Sequence, residues 1–233
     1  MRVGVIGAGR IATSVIAYLR TPGPYELVAV LARRPRRDAA FTDDVSVLAA
    51  ARPRLILDLG GPATLRRYGV RAVTVCDVWS LGASALADEQ YRSTIELAAR
   101  KAGHRLRLLG GAATGFETIG AAARLGRPRI CLSVDKAGAE TQITGSALEL
   151  AFKAPDEHNV AAVAAMAAGD WTGTQARFGP HIGEGTYEVA LTIESDAIQV
   201  ATSIRYANDP KASAWMAATV IAALEMHQRT IWV

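Results

Sequence analysis

The chain has 233 residues, half of them hydrophobic and 21% charged, with a formal net charge of +4. That is ordinary globular composition, enough for one large domain or two small ones, and it argues against a disordered chain. Charge, Gly or Pro interrupts every apolar stretch short of membrane-spanning length, and the mild positive charge forms no aromatic-interleaved basic stripe, so neither a membrane span nor a nucleic-acid role is expected.

The first half alternates between strand and helix patterns. "RVGVIGAG" is a β-branched run closing in glycines, a strand and turn rather than an export signal. "RIATSVIAYLR" then carries apolar residues at helical spacing, "TPGP" breaks the chain, and "YELVAVLA" is the next strand. It runs straight into Arg33, Arg34, Arg36 and Arg37 around Pro35. A short helix at "VSVLAAA" leads to the strand "RLILDLG", then a short helix at "ATLRRYG" and a strand at "RAVTVCDV". A longer helix from about Leu86 to Gly103 precedes the strand "RLRLLGG". Near-continuous apolar strands separated by helices predict a parallel sheet covered on both faces.

After Gly111 the texture changes. "RICLSVD", "TYEVALTIE" and "AIQVATSIRY" read as longer, partly alternating strands, with an Ala-rich helix in "DEHNVAAVAAMAAG". "PKASAWMAATVIAALEMH" reads as an amphipathic helix opened by Pro210. The fold class expected is therefore α/β: a Rossmann-type doubly wound parallel sheet over residues 1–111, then an α+β domain with a largely antiparallel sheet over 112–210. Cys76 and Cys131 lie in apolar runs without motif spacing, which predicts buried free thiols in a reducing cytoplasm. No His, Cys and carboxylate grouping has metal-ligand spacing, so no metal is expected.

Gly7, Ala8, Gly9, Arg10, Ile11 and Ala12 fit G-x-G-x-x-G/A between the first strand and the first helix. The first glycine permits the tight turn, the second lets a pyrophosphate approach the backbone, and Ala12 lets helix and strand pack closely. Free N–H groups at the positive helix end hold the phosphates. In an NAD site the second strand usually ends in an Asp or Glu that binds the ribose 2′-hydroxyl. Here that stretch is Leu31-Ala32-Arg33-Arg34, with no carboxylate. An arginine fork suits the 2′-phosphate of NADP, and one such bond is worth roughly ten- to hundredfold in affinity. Arg33 and Arg34 are thus assigned to an NADP 2′-phosphate, against the simpler reading of a solvated Arg-rich loop. Gly60, after the strand "RLILDLG", joins the cofactor-side set.

Across its length the chain resembles the L-aspartate dehydrogenase family. "VWSLGASALAD" is similar to that family's S-V-G-A-L segment, which lies beside the nicotinamide and implies cofactor contacts for Ser80 and Gly82. "LLGGAATGFETIGAA" resembles its G-A-I-x-G-L-D-x-L turn, with Thr114 and Glu117 as departures. "GSALELAFKAPDEHNVAAVAAMA" resembles G-S-A-x-E-A…P-x-N-x-N-V-A-A, with Asn159 on the second Asn. "NDPKASAWMAATVIAAL" resembles N-P-K-T-S-A-L, with Asp209 inserted and Ala212 where the family has threonine. The resemblance implies oxidation of L-aspartate at its α-carbon to iminosuccinate, which water converts to oxaloacetate and ammonia. It also implies that residues 211–233 return to the nucleotide domain, and a homodimer formed through the second-domain sheet.

The family's catalytic histidine, in N-x-H-x-[IV], aligns with "GTYEVAL", which puts Tyr187 in its place. A tyrosine, with a pKa near 10, donates a hydrogen bond or acts as an acid but is a poor base. Imine hydrolysis should suffer most, so reduction of an imine is one consistent reading. His181, in the Gly-rich "FGPHIGEG", is the candidate for a displaced catalytic histidine. Lys211 and Ser213 are placed at a substrate carboxylate, against a solvated first turn. Asn159 is either a substrate ligand or a helix cap, and Asp88, which the resemblance offers as an active-site carboxylate, reads more readily as a cap. His158 borders the substrate or else caps a helix or faces solvent. His104 and His227 read as structural, and Trp79 and Trp215 as core. The leading expectation is a cytoplasmic NADP-dependent oxidoreductase acting on a small amino or imino acid. The alternatives are a catalytically silent NADPH-binding sensor, or a reductase of another two-domain family such as the dihydrodipicolinate reductases.

Overall fold

A computed structural model describes the chain except residues 35–36, 137–138, 181–185, 208–210 and 232–233, with only the backbone at Thr186 and Lys211. In chain order the elements are β1 (Arg2–Ile6), α1 (Arg10–Leu19), β2 (Glu26–Leu31), β3 (Phe41–Thr42), α2 (Val45–Ala50), β4 (Leu55–Asp58), α3 (Pro62–Val75) and β5 (Asp77–Ser80). A 3-10 turn at Ala83–Ala87 leads to α4 (Glu89–Ala102) and β6 (Leu106–Leu108). Then follow α5 (Phe116–Leu125), β7 (Arg129–Lys136), β8 (Ile143–Ser146), α6 (Ala147–Lys153), α7 (Asn159–Ala168), β9 (Gln175–Pro180), β10 (Thr186–Glu194), β11 (Gln199–Ala207) and α8 (Lys211–Gln228). The chain divides into two compact units, Met1–Leu109 with Met216–Val233, and Gly110–Trp215.

The first unit is a six-stranded parallel sheet in the order β3-β2-β1-β4-β5-β6. All of β4 and four of the five residues of β1 are buried, as expected for central strands covered on both faces. Chain order reverses between β1 and β4, the switch point beside which doubly wound sheets bind nucleotides. In α1, Ala12, Val15, Ile16 and Leu19 form one buried stripe at helical spacing. From the far end of the chain, Ala217, Val220 and Leu224 of α8 enter the same core, and the Tyr25 hydroxyl donates to the Leu224 carbonyl.

The second unit is a five-stranded sheet, β11-β10-β7-β9-β8, antiparallel except for the β7–β9 pair. Ile130, Leu132 and Val134 of β7 and Val189, Leu191 and Ile193 of β10 alternate onto one face. Ile119 and Ala122 of α5 and Val160, Ala161, Ala164 and Ala165 of α7 complete that core.

Several expectations are corrected. "RAVTV" is the last part of α3, not a strand, and β5 is only Asp77–Ser80. Burial of Ala72 and Val73 on the inner face of the helix outweighs the β preference of its branched residues. The strands β8 and β9 were unmarked by any hydrophobic run. Cys76 is buried, and burial pushes its thiol up to about 12, but Cys131 lies on the exposed face of β7 because its neighbours Ile130 and Leu132 take the core side. Among the described residues, no helix is long and apolar enough to cross a membrane.

Candidate cofactor site

Gly7 leaves β1 with φ +107°, and its N–H donates to the Leu31 carbonyl at 2.9 Å, tying the turn to the end of β2. A Cβ at Gly7 would stand 2.9 Å from the Gly60 nitrogen, so both backbone sign and space require glycine. Gly9 is the N-cap of α1 and supplies no side chain to its amides. A Cβ built there would meet nothing within 4 Å, which leaves open space in front of the helix N-terminus. That is the cradle a pyrophosphate needs, and the residues present fit a dinucleotide. Ala8 and Ile11 are half-buried beside it, Arg10 is exposed, and Ala12 is fully buried.

β2 ends in buried Leu31; buried Ala32 follows it, then Arg33 and Arg34, both exposed. The first carboxylate downstream, Asp38, pairs with Arg20 and accepts from the Ala40 N–H at 3.0 Å. The end of β2 therefore presents guanidinium groups where an NAD site usually presents a carboxylate.

Across the switch point, β4 ends in Asp58, which is only 1% exposed. Thr64 Oγ1 donates to Asp58 Oδ1 at 2.6 Å, Ser80 Oγ donates to Oδ2 at 2.7 Å, and the Gly60 N–H approaches Oδ1 at 3.4 Å. Burial pushes the Asp58 carboxyl up to about 6 against these three bonds, which favour the charged form. The Ser80 hydroxyl in turn accepts from the Gly82 N–H at 2.9 Å. A Cβ on Gly82 would meet the Gly61 carbonyl oxygen at 2.8 Å. Gly7, Gly60, Ser80 and Gly82, named from different strands, are thus brought together. The Ser80 hydroxyl, fully buried, supports the loops instead of facing outward. Asp58 and Thr64 were missed by sequence reasoning. The available signal was a carboxylate closing the apolar strand "LILD", with one leucine between it and two glycines.

The remaining first-unit residues serve the scaffold. Asp88 caps α4, accepting from the Tyr91 N–H at 3.0 Å and pairing with Arg66 at 2.8 Å, and these contacts hold its carboxyl below the usual range. Trp79 is in the core, with the Arg107 guanidinium 4.8 Å over its ring and His227 edge-on at 5.2 Å. His104 Nδ1 lies 2.9 Å from the Val73 carbonyl.

In the second unit, Tyr187, the second residue of β10, lies opposite Tyr206 of β11, and the two rings stack at 5.1 Å and 12°. Tyr206 stacks in turn on Trp215 at 6.4 Å. Trp215 is 39% exposed rather than core, since it lies at the end of this stack. Asn159 is the first residue of α7 and not its cap, and its amide donates to the Asp156 carbonyl at 3.5 Å. His158 holds the cap position without a capping bond and is buried, not solvent-facing, with its ring 3.9 Å from that of Phe178. Ser213 is half-buried in the first turn of α8. Lys211 opens that helix but its side chain is not described, and His181 lies outside the described residues.

Residues 7–109 match the family model for the NAD binding domain of homoserine dehydrogenase. L-aspartate dehydrogenase 1 of Bordetella parapertussis is 34% identical over 132 residues, 54% of this chain and 51% of that protein, so the chain spans about half the length of this relative in the match. L-aspartate dehydrogenase of Ruegeria pomeroyi is 30% identical with 99% of this chain and 94% of that protein covered. The crystal structure of aspartate dehydrogenase from Thermotoga maritima shares the fold, with a TM-score of 0.81 and 16% identity over 100% of this chain and 99% of that one. Given the match to the Ruegeria protein along nearly its whole length, the chain belongs to the L-aspartate dehydrogenase family.

Proposed function

We propose that this protein is a cytoplasmic, homodimeric NADP-dependent oxidoreductase acting at the α-carbon of a small amino or imino acid, L-aspartate and iminosuccinate or a relative of them. The observation that carries the cofactor choice is the end of β2, where exposed Arg33 and Arg34 stand and the first carboxylate, Asp38, is engaged by Arg20. Bound nicotinamide supplies a two-electron hydride acceptor or donor. The Gly7–Ala12 turn and the α1 N-terminus take the pyrophosphate, Arg33 and Arg34 the 2′-phosphate, and the Gly60 and Gly82 loops the nicotinamide side. On the substrate side the reading assigns Asn159, Lys211 and Ser213 to the acid and Tyr187, with His181 as the alternative, to proton donation. In the reductive direction an imine gains a hydride at carbon and a proton at nitrogen, which an acid such as a tyrosine hydroxyl can supply.

Purified protein is expected to consume NADPH in the presence of oxaloacetate and ammonium, and NADH more slowly. Arg33→Ala should weaken NADPH roughly tenfold or more with little change for NADH. Equal weakening of both cofactors would overturn the 2′-phosphate assignment. A second reading, a silent NADPH-binding protein, is favoured by the Tyr187 ring lying stacked on Tyr206. NADPH binding without turnover on any imino acid, and no gain of aspartate oxidation in Tyr187→His, would favour it over the enzyme.

A further inference from the structure

Asp58 is a buried ionisable group that the proposed chemistry does not use. Among the described residues its partners are two hydroxyls and an amide, and not a cation. An ionised carboxylate only accepts, and this sets the direction of every bond around it. Thr64 Oγ1 has one proton and lies within reach of both Asp58 Oδ1 at 2.6 Å and the Gly61 carbonyl at 2.8 Å. Ionised Asp58 draws that proton, and it draws the Ser80 proton as well. The Ser80 lone pairs are then left for the Gly82 N–H at 2.9 Å. One carboxylate therefore connects the segment after β4 to the segment after β5. The two are also in near contact at Gly61 and Gly82, and the first touches the phosphate turn where Gly60 meets Gly7.

We propose that Asp58 is a positioning residue for the cofactor: its carboxylate holds residues 60–64 and 80–82 in the one arrangement that shapes the wall facing the Gly7 turn. The assignment rests on the reading of this site as a nicotinamide dinucleotide site. An amide of the same size cannot replace the carboxylate. With its NH2 towards Ser80, that hydroxyl must accept from both sides and loses the acceptor for its own proton. With its NH2 towards Thr64, the Thr64 proton turns to Gly61 and the Gly60 N–H faces a donor.

Asp58→Asn is the test, read by two measurements. In cofactor-free, 15N-labelled protein the Gly60 and Gly82 amide signals should both move, although Gly82 is 24 positions away in sequence. NADPH titrated by fluorescence should bind about tenfold more weakly, the loss expected when charge-assisted bonds that shape a site are removed. The melting temperature at pH 7.5 should not fall. A residue that merely stabilises the fold would lower the melting temperature and leave the affinity of the folded protein unchanged. Ser80→Ala and Thr64→Val each cut one arm; if Asp58→Asn does not fold, the amide shifts and the NADPH affinity are read in them, with a lower melting temperature expected because each leaves the buried carboxylate one donor short. An unmoved Gly82 amide overturns the coupling, and moved amides with NADPH affinity within about twofold of the parent overturn the cofactor role. Failure of the parent protein to bind either NADPH or NADH sinks the proposed function and the cofactor role with it, while the amide shifts still decide the loop coupling.

Discussion

Asp58 is ionised at neutral pH against the preference of its surroundings. Its folded-state pKa is pushed up to about 6, from an ordinary value of 3.8, mainly by burial. A group raised in the folded state contributes stability that is full below the unfolded value and is lost as pH rises through the folded one. For Asp58 that window is about pH 4 to 6, and a shift of this size is worth roughly 3 kcal/mol. Asp58→Asn should therefore be no less stable than the parent at pH 7.5, and the parent should gain on the variant as pH falls from 6 to 4. Chemical denaturation of both at pH 4.5 and 7.5 checks this; a pH-independent difference would contradict it. Retaining a destabilising charge beside a ligand site is the usual stability–activity compromise. Single-residue reading reached the need for glycine at Gly7 because turn sterics constrain residue type locally. It passed over Asp58 because no local rule requires a carboxylate at the end of that strand. Its role depends on Thr64 and Ser80, which folding brings to it.

His158 shows the same limit at the level of an element. The helix α7 was legible from its Ala-rich run, yet the residue before it reads in sequence as bordering the substrate, capping the helix or facing solvent. It is 1% exposed, and neither ring nitrogen has a hydrogen-bond partner among the described residues. Burial, with Lys153 adding to it and Glu157 opposing, lowers its pKa. The positive end of α7 disfavours a protonated ring as well. The folded protein takes up this proton less readily than the unfolded chain, which does so near pH 6.5, so the parent loses stability as pH falls below that value. His158→Leu should raise stability by about 1 kcal/mol at pH 8, by removing unpaired buried polar atoms, and by more at pH 5. Melting curves at the two pH values test this, and an equal gain at both would remove the titration from the account. The end of α3 makes a related point, because "RAVTV" has strand propensity but is helical where Ala72 and Val73 meet the core.

At the level of the whole molecule, the nucleotide unit is discontinuous, closed by Ala217, Val220 and Leu224 from the last helix. Ligand that binds only the folded state stabilises it by mass action, about 2.7 kcal/mol at a hundredfold excess over Kd. NADPH should thus raise the unfolding transition of the Met1–Leu109 and Met216–Val233 unit by several degrees, and NADH at equal concentration by less. No shift with either would count against a nicotinamide site. Strand and helix periodicity, the glycine turn and the missing carboxylate after β2 were all legible in the linear chain, because each is a local pattern with a local physical cause. The extent of α3, the short strands β8 and β9, the stacking of Tyr187 on Tyr206 and the Asp58 network were not. Each depends on which distant segment lies alongside, and that is set by burial and pairing summed over the folded chain rather than by any neighbour in sequence.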